Sequence, residues 1–193
     1  VTGVQTCALP IYTNESGTDV FTFTVFDGTT TTSSTITFTV NGANDAPTAS
    51  NNTVTTTEDN NHTFAASEFG FSDVDGDSLD HVTIETLPST GTLYLSGAAV
   101  SAGDEISLND ISNLVFTPVA NGNGSPYDSF TFSVNDGTAD SASNYTMTVN
   151  VTAANDAPTA SNNTVTTTED NNHTFAASEF GFSDVDGDSL DHV

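Results

Sequence analysis

Apolar and polar residues alternate along most of this chain with the two-residue period of a β-strand. Phe130, Phe132 and Val134 are separated by Thr131 and Ser133, and Tyr145, Met147, Val149 and Val151 by Thr146, Thr148 and Asn150. The same period links Val82 with Ile84 and Leu93 with Leu95. Successive side chains of a strand point to opposite faces, so each run predicts a strand with one buried and one wet face. Thr fills many of the wet positions, where its β-branched side chain favours extended backbone and its hydroxyl stays hydrated. Turn-forming residues punctuate the runs at Ser96-Gly97, Ala102-Gly103-Asp104, Asn121-Gly122-Asn123-Gly124 and Asn135-Asp136-Gly137. Helical period is missing apart from short turns expected near Ala66–Phe69 and Asn109–Ser112. About seven short strands in roughly a hundred residues predict an all-β fold, a Greek-key β-sandwich.

The pattern repeats. Residues 43–82, beginning Ala43-Asn44-Asp45-Ala46-Pro47, recur without a change at 154–193, an offset of 111 residues. Phe21–Thr29 (FTFTVFDGT) also matches Phe130–Thr138 (FTFSVNDGT). The chain therefore divides into the C-terminal part of one repeat (12–46), a complete repeat (47–157) and the N-terminal part of a third (158–193). A complete repeat is large enough to bury a modest core, whereas each partial one lacks most of its strands. Residues 1–11 (VTGVQTCALPI) stand outside this scheme. Their back-translation resembles a common sequencing adapter, so they are taken as an artefact. Cys7, the single cysteine, falls inside them, which leaves the repeats without a disulfide or a thiolate site. The expectation is of a natural protein that is longer at both ends.

Charge sharpens the picture. The chain has no Lys and no Arg against 26 Asp plus Glu, a formal charge of −26. Nucleic acid and anionic membrane surfaces are held through basic side chains, so both are excluded as partners. No run of 18 apolar residues exists, so no direct membrane insertion is expected. Thirteen Phe and many Val, Ile and Leu argue for a folded chain. Uncompensated charge of this size would force a compact fold apart. The neutralising charge is expected to come from solvent, with Ca²⁺ as its obvious supplier.

Acidic and amide residues cluster four times around the repeat boundary: Asn44-Asp45 before Pro47, Glu58-Asp59, the segment Asp73-Val74-Asp75-Gly76-Asp77, and Asp136 after the Phe130–Val134 strand. Ca²⁺ takes six to eight oxygen ligands, more than one cluster offers, so several must converge. The DVDGD segment is not an EF-hand loop, because its Gly is fourth and its twelfth position is Ile84. His62 and His81, in polar surroundings, are expected at the exposed surface.

With these residues in view the chain resembles the cadherin-like tandem repeats of large bacterial surface adhesins, of the RTX, type I-secreted and VCBS-like kind. The resemblance is carried by Ser72–Leu79 (SDVDGDSL), Gly91–Leu95 (GTLYL), Phe116–Gly122 (FTPVANG), Phe130–Thr138 and Asn155–Pro158 (NDAP), and it covers the chain after residue 11. It implies cadherin-like or Ig-like sandwich modules with Ca²⁺ at each junction between neighbours. Asn44, Asp45, Glu58, Asp73 and Asp75 would form one junction, and Asn155, Asp156, Glu169, Asp184 and Asp186 the next. Asp77 and Asp188 join as further ligands, and Asp27 or Asp136 as donors from the upstream module. The glutamate-bearing LDRE motif of animal cadherins has no counterpart here.

The function expected from residues and resemblance together is a calcium-binding structural or adhesion repeat, secreted to the cell surface of a bacterium. Calcium-rigidified modules would act as a stalk whose partners are neighbouring repeats and cell-surface or matrix ligands. Two alternatives stay open: a carbohydrate- or receptor-binding module, and spacer repeats within a secreted hydrolase. No catalytic residue is assigned, since neither G-x-S-x-G nor H-E-x-x-H occurs.

Overall fold

The computed structural model describes residue 14 and residues 16–193; the adapter-like segment 1–11, with Cys7, lies outside the described residues. Alternation translates into strands as far as residue 152. β1 (Gly17–Phe26) and β2 (Thr31–Val40) form an antiparallel hairpin. The complete repeat contributes β3 (Asn52–Thr57), β4 (His62–Thr63), β5 (His81–Thr86), β6 (Thr92–Leu95), β7 (Ala98–Ala99), β8 (Glu105–Ser107), β9 (Leu114–Thr117), β10 (Gly124–Asn135) and β11 (Tyr145–Thr152). They build a five-stranded sheet in the order β3-β11-β10-β5-β8 and a four-stranded sheet in the order β4-β9-β6-β7. The expected all-β sandwich is therefore what forms. It has nine strands rather than about seven, because β4 and β7 hold two residues each, too few for alternation to register. The two expected helical turns are 3₁₀ turns at Ala66–Phe69 and Ile111–Asn113.

Both sheets share one core. Val82, Ile84, Phe130, Phe132, Val134, Met147 and Val149 point inward from the larger sheet, and Leu93, Leu114 and Phe116 from the smaller. Phe64 meets Phe130 edge-to-face at 5.6 Å between ring centroids, and Phe69 meets Phe132 at 4.9 Å. Each such ring contributes about 1.5–3 kcal/mol through burial alone, with a further increment from the edge-to-face geometry. Ser133, expected on the wet face, is buried as well. β10 runs between β11 and β5, and the Ser133 hydroxyl is covered there while donating to Glu85 Oε1 at 2.7 Å.

Close approach fixes one glycine. A β-carbon on Gly91 would overlap the ring of the fully buried Phe116, and the Gly91 N–H donates to Asp128 Oδ2 at 2.9 Å. Gly91→Ala is expected to destabilise the module by about 1–3 kcal/mol, the usual cost of overpacking, read as a lower urea midpoint. An unchanged midpoint would show that the ring can move aside.

The flanking segments carry the same residues in a different state. Phe64 is 1% exposed, whereas Phe175, its copy in the third segment, is 62% exposed. Residues 154–193 hold no strand and keep only the 3₁₀ turn Ala177–Phe180 and an isolated bridge between Thr159 and Ser183. The β1–β2 hairpin likewise exposes Phe21, Phe26, Ile36 and Phe38. A parallel strand such as β3, which pairs with β11, cannot persist without its neighbour.

Candidate metal centre at the module seams

The DVDGD segment folds onto its first carboxylate. Asp73 Oδ1 accepts the backbone N–H groups of Asp75 at 2.8 Å and Asp77 at 3.1 Å. This wraps the chain so that Asp73, Asp75 and Asp77 each offer an oxygen within 4.8 Å of the others. Gly76, at φ 84°, lets the turn close. The second copy repeats the wrap, with Asp184 Oδ1 accepting from Asp186 at 3.0 Å and Asp188 at 3.2 Å. The linkers dock on these loops: Asp45 N–H donates to Asp75 Oδ2 and Asp156 N–H to Asp186 Oδ2, both at 2.7 Å. In each linker the preceding amide, Asn44 or Asn155, donates to the carbonyl of the following Asp.

Two expected assignments are corrected. Glu58 does not stand with Asn44 and Asp45. It lies at the opposite end of its module, 1% exposed, where Oε1 accepts the Ala154 N–H at 2.6 Å and Oε2 accepts from Asn123 Nδ2 at 3.2 Å. The reason is the parallel pairing of β3 with β11: both strands run toward the same end, so the residue after β3 meets the linker after β11. Glu58 therefore joins Asp156, Asp184 and Asp186, the group to which Glu169 was assigned, while Glu169 itself is exposed. Asp136 moves the other way. Its Oδ2 accepts from Asn44 Nδ2 at 3.0 Å, so it faces the seam before its module, not the one after it. Asp27 keeps to its own turn, accepting from Thr29 and Thr30.

The structure thus assembles two seams. The first gathers Asn44, Asp45, Asp73, Asp75, Asp77 and Asp136; the second gathers Glu58, Asp59, Asp156, Asp184 and Asp186. Electrostatics at the second is unfavourable as it stands. Burial raises the pKa of Asp156 above the ordinary 3.8, and the carboxylates of Asp59, Asp186, Glu58 and Asp184 push the same way. At the first seam the Asn44 amide and the N–H groups of Ala139 and Thr138 lower that of Asp136.

The oxygens themselves decide whether a divalent cation fits. Asp73 Oδ2 and Asp156 Oδ2, one in each seam, are buried and have no hydrogen-bond partner. Glu58 is a fully buried carboxylate in a chain with no Lys or Arg to pair it. Carboxylate and amide oxygens with no thiolate and no histidine form a hard donor set suited to Ca²⁺ rather than to zinc. The residues fit.

Residues 44–152 match the family model described as a bacterial Ig domain. The chain belongs to the bacterial Ig domain family. None of the curated proteins matches it. Among solved structures, an endo-fucoidan hydrolase from glycoside hydrolase family 107 aligns at 23% identity with a TM-score of 0.31, covering 73% of this chain and 19% of that one. The bacterial Ig domain begins at Asn44 and ends at Thr152, so the first seam's linker falls within it and Glu58 lies at its far end.

Sequence reading missed two features of this Ig domain. Asp128 is 9% exposed and accepts N–H groups from Ser89, Thr90, Gly91 and Ser129 at 2.7–3.0 Å. Its only sequence signal was a charged residue at the head of an apolar alternation. His62 is half-buried rather than exposed, edge-on to Phe64, with Nε2 3.2 Å from Glu68 Oε2. His81, also half-buried, lies 2.9 Å from Asp80. Among the described residues no helix is long and apolar enough to cross a membrane.

Proposed function

We propose that this chain is a length of calcium-stiffened stalk: tandem Ig-type modules of a large bacterial surface protein of the cadherin-like adhesin kind, without catalytic chemistry. The observation that carries the reading is the pair of buried, unpartnered carboxylate oxygens, Asp73 Oδ2 and Asp156 Oδ2, one in each seam. Both sit where a linker bonds to a DVDGD loop. Asn44, Asp45, Asp73, Asp75, Asp77 and Asp136 would hold Ca²⁺ at the first seam. Glu58, Asn155, Asp156, Asp184, Asp186 and Asp188 would hold it at the second.

A cation there ties the end of one module to the start of the next. It replaces repulsion among carboxylates by shared coordination, and the joint stops bending. Without it the linker is a short hinge limited by Pro47 or Pro158. The same chemistry suits export of an unfolded chain from a calcium-poor cytoplasm, followed by folding outside, where calcium is plentiful. Neighbouring repeats are then the immediate partners, and the stalk presents other domains to cell-surface or matrix ligands.

The test is small-angle X-ray scattering of the chain in calcium and in chelator. The proposal expects a longer, narrower distance distribution in calcium. Identical distributions in both would end it.

A further inference from the structure

Asparagine is a labile residue, and it is most labile before glycine, where no side chain shields the next backbone nitrogen. Asn-Gly occurs three times here, at Asn41-Gly42, Asn121-Gly122 and Asn123-Gly124. The fold treats the three differently. Gly122 N–H donates to the Val119 carbonyl at 3.0 Å, and Asn121 N–H to Asp59 Oδ1 at 3.1 Å. A β-carbon on Gly122 would stand 2.9 Å from both the Val119 carbonyl oxygen and Tyr127 Oη, so that turn has little room to rearrange. Asn123 is tied by its own amide, which donates to Glu58 Oε2 at 3.2 Å, and Gly124 opens β10 opposite Val151.

Asn41-Gly42 carries none of these restraints. Both residues are exposed, just past the end of β2 at Val40. Among the described residues nothing hydrogen-bonds to the Asn41 side chain or to the Gly42 N–H. The space around Gly42 is open, since a β-carbon there would come no closer than 3.6 Å to Ser16. Both residues also line a cavity of about 290 Å³, shared with Asp45 and Asp75, which gives water access.

We infer that Asn41 is a self-modification site, where the side chain cyclises onto the Gly42 nitrogen and the ring then opens to aspartate or isoaspartate. The Gly42 nitrogen gives its proton to solvent hydroxide and attacks Asn41 Cγ. The N–Cγ bond forms, the Cγ–Nδ2 bond breaks, and ammonia leaves with a proton taken from water. One water then opens the succinimide. Cleavage at Cγ gives aspartate. Cleavage at the Asn41 backbone carbonyl gives isoaspartate, in which the chain runs through the former side chain. No oxidant or cofactor is needed, and the chemistry is independent of calcium.

Either product adds a carboxylate to the wall that Asp45 and Asp75 already share. Isoaspartate also lengthens the linker by a methylene. The first joint thus acquires an irreversible mark of age. The second joint has no such site, because its linker reads Thr152-Ala153 at the matching positions.

The experiment incubates the whole folded chain in heavy-oxygen water at mildly alkaline pH, beside a sample unfolded in urea, until the urea sample has converted at all three sites. Cleavage after Phe and Tyr puts Asn41 on the peptide following Phe38 and the other two on the peptide following Phe116. Mass spectrometry then reads the label at each asparagine and separates aspartate from isoaspartate. The quantity compared is each site's folded rate relative to its rate in urea. For Asn41 this ratio is expected near unity, with isoaspartate in excess. For Asn121 and Asn123 it is expected to be about tenfold lower or less, since each must first open locally. Gly42→Ala gives this linker the alanine of the second one, and it is expected to slow Asn41 severalfold while the other two keep their rates.

A ratio for Asn41 as low as those of Asn121 and Asn123 overturns the inference. So does an Asn41 that stays unlabelled in the folded chain, or a G42A chain that converts there at the parent's rate.

Discussion

Calcium added to the metal-free chain is expected to raise its melting temperature by roughly 10 °C, where magnesium at the same concentration raises it by far less. The size follows from linkage. Extracellular calcium modules bind with Kd of about 10⁻⁴–10⁻³ M. At calcium 100-fold above Kd, one site adds about 2.7 kcal/mol to the folded state. That is large against the roughly 5–15 kcal/mol of a typical domain, and 1 kcal/mol shifts the melting temperature of a module this size by about 4 °C or more. Two causes of stabilisation have to be separated, because a chain with charge −26 gains from any screening cation. Magnesium separates them. It carries the same charge and screens equally, but it demands a tight octahedron and gives up its waters reluctantly. Oxygens spread over a linker, a loop and a neighbouring module suit the looser shell of calcium. Differential scanning calorimetry in matched calcium, magnesium and sodium chloride decides the matter. Equal gains in calcium and magnesium would reduce the seams to screened surface charge.

Most of the strands were legible in the chain because each carries its own period. Phe130 to Val134 and Tyr145 to Val151 alternate over enough residues to announce both the strand and its buried face. The seam was legible only as a set of residue types. Glu58 shows why its grouping was not. In sequence it lies 13 residues after Asp45 and nearly a hundred before Asp156, yet it belongs with Asp156. The parallel register of β3 on β11, which no local pattern encodes, carries it to the far end of the module. Asp136 crosses to the other end for the complementary reason: β10 runs antiparallel to β11 and ends where the module began. The duplicated block makes the same point through burial. His62-Thr63-Phe64 and His173-Thr174-Phe175 are the same residues, and only the first has strands to pack against. Alternation states which face would be buried; the presence of the opposing sheet decides whether it is.

Asp128→Ala is expected to cost the module about 3 kcal/mol, the scale for removing hydrogen bonds to a charged group and leaving their partners buried. The carboxylate is a hub. Oδ1 accepts from the Ser89 and Ser129 N–H groups at 3.0 and 2.8 Å, and Oδ2 from Thr90 at 2.7 Å and Gly91 at 2.9 Å. Three of its donors, at Ser89, Thr90 and Gly91, lie in the loop between β5 and β6, outside either sheet. Burial opposes its ionisation, but the four N–H groups outweigh burial and hold its pKa below the ordinary 3.8. A depressed carboxylate stabilises the fold above its unfolded pKa and ceases to do so as pH falls through its folded one. The parent should therefore lose this contribution only below pH 3.8. Asp128→Ala lacks it at every pH, so the difference between the two proteins is constant at neutral pH and narrows in acid. Asp128→Asn separates charge from shape: its amide nitrogen must face one pair of donors, so it recovers part of the loss and none of the acid dependence. Urea unfolding at fixed calcium, from pH 7 downward, measures all three. A difference between parent and alanine variant that stays constant into acid would show that the carboxylate's charge is not what holds the 89–91 turn.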